Sequence, residues 1–229
     1  VVDLGSGAFA NLVRHRAPEA LDALVITHMH ADHFLDIIPL RYALKYGERT
    51  SARKLPLYLP PGGESMLRRL CSAFAKEGGA DFLAEVFIVR TFDPAASLRL
   101  GTVTLTFAPA QHYIETYALR CDAAGASLTY SSDTAPTQSV VALARESNLL
   151  LCEATLTDAE NAETADDAEP ERGHMSAREA GRTAAQAPVE RLLLTHYSAT
   201  AVASELIASA RLSFTGPVDV VDDGYYVEL

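Results

Sequence analysis

Positive charge is what this 229-residue chain has least of: 19 Lys and Arg stand against 30 Asp and Glu, for a net charge of -11. Such a field repels polyanions and disfavours non-specific nucleic-acid binding, so an anionic substrate has to be captured locally. Cysteine is scarce as well. Cys71, Cys121 and Cys152 are odd in number and far apart, with neither CxxC spacing nor a disulfide framework, so a reducing cytoplasmic compartment is expected. No apolar run approaches the roughly 20 residues that span a bilayer. No basic-then-apolar leader precedes a small-residue cleavage site either, so a soluble, non-exported protein without a membrane partner is expected. The balance of 48% apolar and 21% charged residues is ordinary for a globular chain and excludes disordered, collagen-like and coiled-coil classes. The first residue is Val1, not Met, and it opens directly into the strand-like ValValAspLeu, so an upstream segment is expected to be missing.

What is present is an alternation of short β-type runs with amphipathic helical stretches. Leu24 to Ile26 reads as a strand, a polar His-rich loop follows, and Phe34 to Lys45 carries Leu35, Ile38 and Tyr42 at helical spacing. Pro56 to Leu59 reads as a strand closed by ProProGlyGly, and Glu64 to Lys76 carries Met66, Leu67, Leu70 and Phe74 on a helical period. Glu85 to Val89, Thr102 to Phe107, Tyr117 to Cys121 and Ser127 to Tyr130 alternate apolar and polar residues, as strands covered on one side do. A helix after Pro136, an apolar strand Leu149 to Cys152, a helix from Ala177, a strand Leu192 to Leu194 and a helix near Val202 to Leu212 complete the pattern. This order predicts an α/β domain with helices covering sheets. LeuValIleThrHis at 24 to 28 and LeuLeuLeuThrHis at 192 to 196 echo each other, which hints that both halves bring equivalent strand ends to one site. The acidic, Ala-rich stretch from Asp158 to Arg172 reads as a surface loop.

The chemistry concentrates in the histidines. ThrHisMetHisAlaAspHis places His28, His30, Asp32 and His33 within six residues, a density that a structural role seldom requires. At the end of a strand, period-two geometry would point His28 and His30 the same way. Further ligand types follow other strands: His112 after Thr102 to Phe107, Asp133 after Tyr130 and His196 after Leu194. Singly, each has a bland alternative, a hydrogen-bonded histidine or a turn or capping aspartate. His174 lies just before Ser176 and Glu179, a capping-box spacing that should start a helix and leave this histidine beside an anion-favouring N-terminus. His15, between Arg14 and Arg16, reads as solvated, and Arg41, Lys45, Arg49, Arg53 and Lys54 read as a solvated helix face and loop.

The HxHxDH word formed by His28, His30, Asp32 and His33 resembles the hallmark of the metallo-β-lactamase fold superfamily, and the likeness runs from AspLeuGlySerGly at 3 to 7 to ThrHisTyrSer at 195 to 198. The resemblance implies a single hydrolase domain over 1–229, a four-layer αββα sandwich that lacks its first N-terminal strand. It further implies a dinuclear site in which His28, His30 and His112 hold one metal, Asp32, His33 and His196 the other, and Asp133 bridges them. Asp32 and His174 would be catalytic, His174 protonating the leaving group or touching phosphate, with Glu153 as its partner and Ser198 holding substrate. Nitrogen and carboxylate ligands without thiolate suit two zinc ions, with manganese or iron as alternatives. Such a pair, about 3.5 Å apart, would share a water, lower its pKa and clamp phosphoryl oxygens. Two divalent ions minus Asp32 and Asp133 leave a local charge of about +2, which can attract a phosphodiester to an acidic protein.

TyrSerSerAspThrAlaPro at 130 to 136, CysGluAlaThrLeu at 152 to 156, GlyHisMetSer at 173 to 176 and LeuThrHisTyrSer at 194 to 198 resemble words of the ribonuclease Z and phosphodiesterase branch. Only 20 residues separate His112 from Asp133, too few for the arm with which ribonuclease Z grips transfer RNA, and ThrHisTyrSer lacks the following ArgTyr. The expected substrate is therefore a small phosphodiester such as a cyclic nucleotide, with large RNA disfavoured and a homodimer left open. Three alternatives stand beside it: transfer-RNA 3'-processing, a lactonase or β-lactamase-like hydrolysis, and a non-catalytic metal-binding module. The lactonase-like and β-lactamase-like classes are weakened by AlaGlnHisTyrIleGlu around His112 and by the want of a cysteine ligand, and no metal position is lost that would favour the module.

Overall fold

A computed structural model describes residues 1–47, 53–75, 80–158 and 172–229. They fall into two compact units, Val1–Asp93 and Pro94–Leu229.

The first unit runs α1 (Ala8–His15), a 3-10 turn (Pro18–Ala20), β1 (Leu24–Val25), α2 (Ala31–Phe34), α3 (Ile37–Tyr46), β2 (Leu55–Leu59), α4 (Gly63–Ser72), α5 (Ala80–Ala84) and β3 (Phe87–Thr91). Its strands form a parallel sheet in the order β1-β2-β3, and Val2 adds an isolated parallel bridge to Val25. Parallel strands are buried on both faces, which is why Leu55, Leu57 and Leu59 occur with so little polar interruption. Ile26, Ile37, Leu40 and Leu67 close the core around them.

Four expectations are corrected in this unit. The strand that was to carry the His motif stops at Val25, so the motif does not continue a β ladder. The single helix expected over Phe34 to Lys45 is two, because the chain breaks at Leu35 and Asp36, where the Asp36 carboxylate accepts from Phe9 N at 2.9 Å. Met66 and Phe74 are exposed: α4 ends at Ser72, which leaves Phe74 in the turn beyond it, and the helix buries Leu67 and Cys71 instead. Arg41 is not solvated. It is 3% exposed, donates Nε to the Phe82 carbonyl at 3.1 Å, pairs with Glu85 and lies 3.9 Å over the Phe82 ring. Lys45 joins the same Glu85 at 3.2 Å and Arg53 donates to the Leu21 carbonyl at 2.5 Å, whereas Arg49 lies outside the described residues.

The second unit contains β4 (Leu98–Leu100), β5 (Val103–Pro109), β6 (Tyr117–Ala123), β7 (Ala126–Tyr130), α6 (Gln138–Ala144), β8 (Leu149–Glu153), α7 (Ala177–Gln186), β9 (Arg191–Thr195), α8 (Ala203–Arg211) and β10 (Val218–Val220). They make one seven-stranded sheet in the order β10-β9-β8-β7-β6-β5-β4. From β4 to β7 the pairs are antiparallel, with tight turns between β4 and β5 and between β6 and β7 and the longer loop 110–116 between β5 and β6, and from β7 to β10 they are parallel. The change follows the connections: a two-residue turn at Ala124 and Gly125 can only reverse the chain, whereas a parallel return needs a crossover helix such as α6 or α8. Helix α7 starts at the expected capping box, with Glu179 accepting from Ser176 N at 3.0 Å, and it packs Ala177, Ala180 and Ala184 into the core formed with Leu150, Cys152, Leu192 and Leu194. The expected loop from Asp158 to Arg172 lies, over 159–171, outside the described residues.

The result is the mixed α/β architecture with two sheets that the resemblance implies. Among the described residues no helix is long and apolar enough to cross a membrane. Burial pushes the thiols of Cys71 and Cys121 up to about 11 and that of Cys152 up to about 12, so all three remain protonated at neutral pH. None of them belongs to the groups of ligand-type side chains that could hold a metal among the described residues.

The buried Arg41 yields a stability test. Glu85→Ala leaves a desolvated guanidinium without its carboxylate and should cost about 1–3 kcal/mol, whereas Asp22→Ala, at an exposed pair with Arg53, should cost less than about 1 kcal/mol. Urea unfolding midpoints of the two variants decide it; equal small losses would show that Glu85 is as dispensable as a surface ion pair.

Candidate metal centre

In the first unit, three imidazoles and a carboxylate come together after β1. His28 is fully buried and lies in the extended segment past Val25; its ring centroid is 5.0 Å from that of His30 and 4.0 Å from that of His33. His30, in extended backbone, caps the short helical turn α2, which carries Asp32 and His33. An irregular segment, extended at His30 and feeding a helical turn, therefore replaces the expected strand end. Asp32 Oδ2 is 3.8 Å from His33 Nε2.

What orients these rings is Asp3. Its carboxylate accepts from Thr27 N at 2.7 Å, from Thr27 Oγ1 at 2.8 Å and from His33 Nδ1 at 2.9 Å. Thr27 has one hydroxyl proton and gives it to Asp3, so its oxygen, 3.2 Å from His28 Nδ1, accepts the imidazole proton. In both His28 and His33 the proton is thus held on Nδ1, and Nε2 presents a lone pair, the arrangement that metal-binding histidines use. The same segment is held by Leu4 N donating to the His33 carbonyl at 2.7 Å, and position 5 has to be glycine, because a Cβ there would lie 1.5 Å from the Asp32 carbonyl oxygen.

In the second unit the loops after β5, β7, β8 and β9 converge on Asp133. This aspartate is 2% exposed, and its two oxygens face different imidazoles: Oδ2 lies 3.8 Å from His112 Nε2 and Oδ1 lies 3.5 Å from His196 Nε2. His112 donates Nδ1 to the Gly173 carbonyl at 2.7 Å, an approach that needs glycine, since a Cβ at 173 would lie 2.9 Å from that nitrogen and 2.7 Å from the Tyr113 ring. His196 Nδ1 is 2.9 Å from Thr155 Oγ1, and this hydroxyl donates to the His196 carbonyl at 2.9 Å, so it accepts the ring proton. Again the lone pair falls on Nε2. The echo between ThrHis at 27 and at 195 is therefore not an equivalence: His28 leans on the threonine before it, whereas His196 leans on Thr155 from another strand. His196 is also held at φ 47° and Ser132, just before Asp133, at φ 53°, left-handed backbone that a non-glycine residue adopts at a cost of about 1–3 kcal/mol.

His174 stacks on His196 at 5.8 Å and meets the His112 ring edge-on at 4.8 Å. Its Nδ1 is 2.9 Å from Glu153 Oε1 and 3.2 Å from Oε2. Glu153 is fully buried and also accepts from the backbone N–H groups of Thr134, Thr155 and Met175, at 2.5, 3.3 and 3.3 Å. Asp133, His174 and His196 place ligand-type atoms within 4.8 Å of one another, so His174 is itself of a kind and in a place to bind metal. Ser198 is exposed, 3.0 Å from the Thr200 hydroxyl, in a pocket of about 430 Å³ that it shares with His196. His15 is exposed at the end of α1, as expected.

All the singled-out ligand types thus fall into two clusters, His28, His30, Asp32 and His33 in one unit and His112, Asp133, His174 and His196 in the other. The acceptors that orient them, Asp3, Thr27 and Thr155, were not anticipated; the only signal for Asp3 was its place in the AspLeuGlySerGly word.

Residues 1–197 match the family model of the Beta-lactamase superfamily domain, and the chain belongs to that family. Relatives with metallo-hydrolase and ribonuclease Z names are among its matches. Uncharacterized protein ML1173 of Mycobacterium leprae is 36% identical over 226 residues, 98% of this chain and 76% of its own length. Ribonuclease Z of Haloferax volcanii is 29% identical over 275 residues, covering 99% of this chain and 84% of its own. Among solved structures, the metallo-β-lactamase fold protein YhfI from Bacillus subtilis superposes with a TM-score of 0.81 at 28% identity, over 98% of this chain and 84% of that one.

The orienting acceptors give a test that needs no substrate. Asp3→Asn and Thr155→Val each remove a partner of a ring Nδ1 without touching a ligand type and should weaken metal affinity by about 10–100-fold. Chelator competition on the folded variants measures it; affinities equal to the parent's would show that the tautomers need no such support.

Proposed function

We propose that the chain is a dinuclear metal-dependent hydrolase of small phosphodiesters, cyclic nucleotides included. Its ligands would be His28, His30, Asp32 and His33 of the first unit and His112, Asp133 and His196 of the second. The observation that carries this reading is Asp133, a buried carboxylate with one oxygen toward each of two Nε2 atoms, as a bridging ligand requires. An all-nitrogen-and-oxygen donor set with protonated thiols favours zinc, with manganese or iron as the alternatives. The free cysteines fit a reducing cytoplasmic setting. When bound, such ions polarise a phosphoryl oxygen and lower the pKa of water.

The chain's own residues supply the rest. Glu153 fixes the Nδ1 proton of His174 and stabilises the imidazolium, which leaves Nε2 to carry the proton needed by the departing oxygen. His174 is 17% exposed at its side chain, so that nitrogen is within reach of substrate. Asp32, 65% exposed, is both a ligand type and a carboxylate at the surface where substrate would enter. The relative named Ribonuclease Z supports phosphodiester chemistry. The 20-residue interval between His112 and Asp133 and the net charge of -11 both favour a small diester over transfer RNA.

Two measurements follow. His174→Ala should retain two metal ions per chain by elemental analysis while phosphodiester turnover falls by about 10² or more. Loss of metal would make His174 a ligand, and full activity would make it a bystander. In competition at equal concentration, bis(p-nitrophenyl) phosphate and cyclic nucleotides should show a higher kcat/KM than precursor transfer RNA, a lactone or a β-lactam. Preference for the transfer RNA would show that the short interval still permits gripping, and cleavage of the lactone or β-lactam alone would move the chain to another reaction class.

A further inference from the structure

The pocket at His196 does not end at Ser198. A second cavity of about 310 Å³ shares Leu156 and Ser198 with it, so the two are neighbouring chambers of one groove that leads from a candidate metal ligand to the start of α8. Each chamber has the size of a small-ligand site. The far chamber is apolar at Leu156, Val202 and Leu206, and its ionic residues among the described ones are Asp158 and Glu205; no Lys or Arg among the described residues lines either chamber. Val202 is 51% exposed, an apolar surface open to contact. Glu205 stands in the first turn of α8, where its negative charge offsets the positive end of the helix, so this helix start does not offer itself to a phosphate. Asp158 accepts from Ser209 at 2.6 Å, which ties it to α8.

From this lining we infer that the groove receives the organic arm of the substrate, a single nucleoside whose apolar face lies on Leu156, Val202 and Leu206. Asp158 and Glu205 accept its hydroxyl and amino hydrogens. The inference rests on the phosphodiesterase reading for its placement beside His196 and deepens it to a substrate class. A further phosphate on that arm would be brought against two carboxylates with no cation among the described lining residues to offset them. A neutral nucleoside meets no such repulsion. The groove therefore selects a mononucleotide-sized diester against a longer chain. Ser198, at the junction of the chambers, contacts the link between phosphate and arm.

The experiment compares two diesters with the same leaving group, thymidine 5'-(p-nitrophenyl phosphate) and methyl p-nitrophenyl phosphate, together with equilibrium binding of free adenosine by calorimetry. The parent should prefer the nucleoside ester by at least tenfold in kcat/KM. Leu206→Trp, which fills the chamber, should reduce that preference at least tenfold and weaken adenosine binding to the same degree. Glu205→Lys should raise kcat/KM at least tenfold for a nucleoside ester carrying an additional 3'-phosphate. Unchanged selectivity and adenosine affinity in Leu206→Trp, with no gain for the phosphorylated ester in Glu205→Lys, overturn the inference. Adenosine binding that Leu206→Trp removes in a protein that turns over neither diester supports the groove and defeats the phosphodiesterase reading instead.

Discussion

An imidazole can offer a lone pair in a fixed direction only if the proton on its other nitrogen is held by something rigid, and the loops of this protein are arranged around that requirement. Thr27 holds the Nδ1 proton of His28, Asp3 that of His33, the Gly173 carbonyl that of His112 and Thr155 that of His196, and Glu153 fixes the ring of His174 in the same way without making it a ligand. Each acceptor is itself anchored. Thr27 is fixed by Asp3, Thr155 by the His196 carbonyl, and Glu153 by three backbone N–H groups. The glycines at 5 and 173 belong to the same constraint, since a side chain at 173 would push the His112 ring from its carbonyl and one at 5 would push away the Asp32 and His33 backbone.

This arrangement is costly, and the sheets carry the cost. Asp3, Ser132 and His196 hold left-handed backbone, and Asp133 and Glu153 are acids nearly or fully removed from water. A loop with few packed neighbours would relax out of such conformations. Here Ser132 and His196 follow buried strands: Ser132 follows β7, His196 follows Leu192, Leu193 and Leu194, at most 2% exposed, and Glu153 closes a strand paired on both sides. The parallel half of the seven-stranded sheet thus serves as a rigid template that aims polar side chains from the ends of its strands.

The histidines and acids were legible in the sequence because residue type and position after an apolar run suffice to nominate a ligand. So was the α7 start, since Ser176 and Glu179 act three residues apart. Their partners were not legible, because hydrogen bonds that join Thr155 to His196 or Gly173 to His112 span 41 and 61 residues and leave no local pattern. The strand reading of the His motif failed because Thr27 gives its backbone N–H and its hydroxyl to Asp3 instead of continuing the ladder, a tertiary bond that no period detects. Arg41 failed for the same reason: a guanidinium between Phe82 and Glu85 looks, along the chain, like any other cation on a helix. β4 and β10, at three residues each, are too short to show a period at all.

The charge economy of the molecule ties these points to substrate choice. Arg41 is committed to Glu85, Arg120 to Asp122 and the carbonyls that end α6, Arg172 to Glu179, and Arg191 to Asp219. Cations that close ion pairs inside their own unit contribute little attraction to a distant anion, and the overall charge of -11 works against one. In the proposed function the attraction for phosphate accordingly comes from the metal ions, a source a few ångströms across rather than a surface track. A source of that extent can hold one phosphodiester. It gains nothing from a second, third or tenth phosphate along a polynucleotide, each of which would still meet the acidic surface. The carboxylates that make this chain a good host for divalent ions are thus the same feature that limits the length of the anion it can accept.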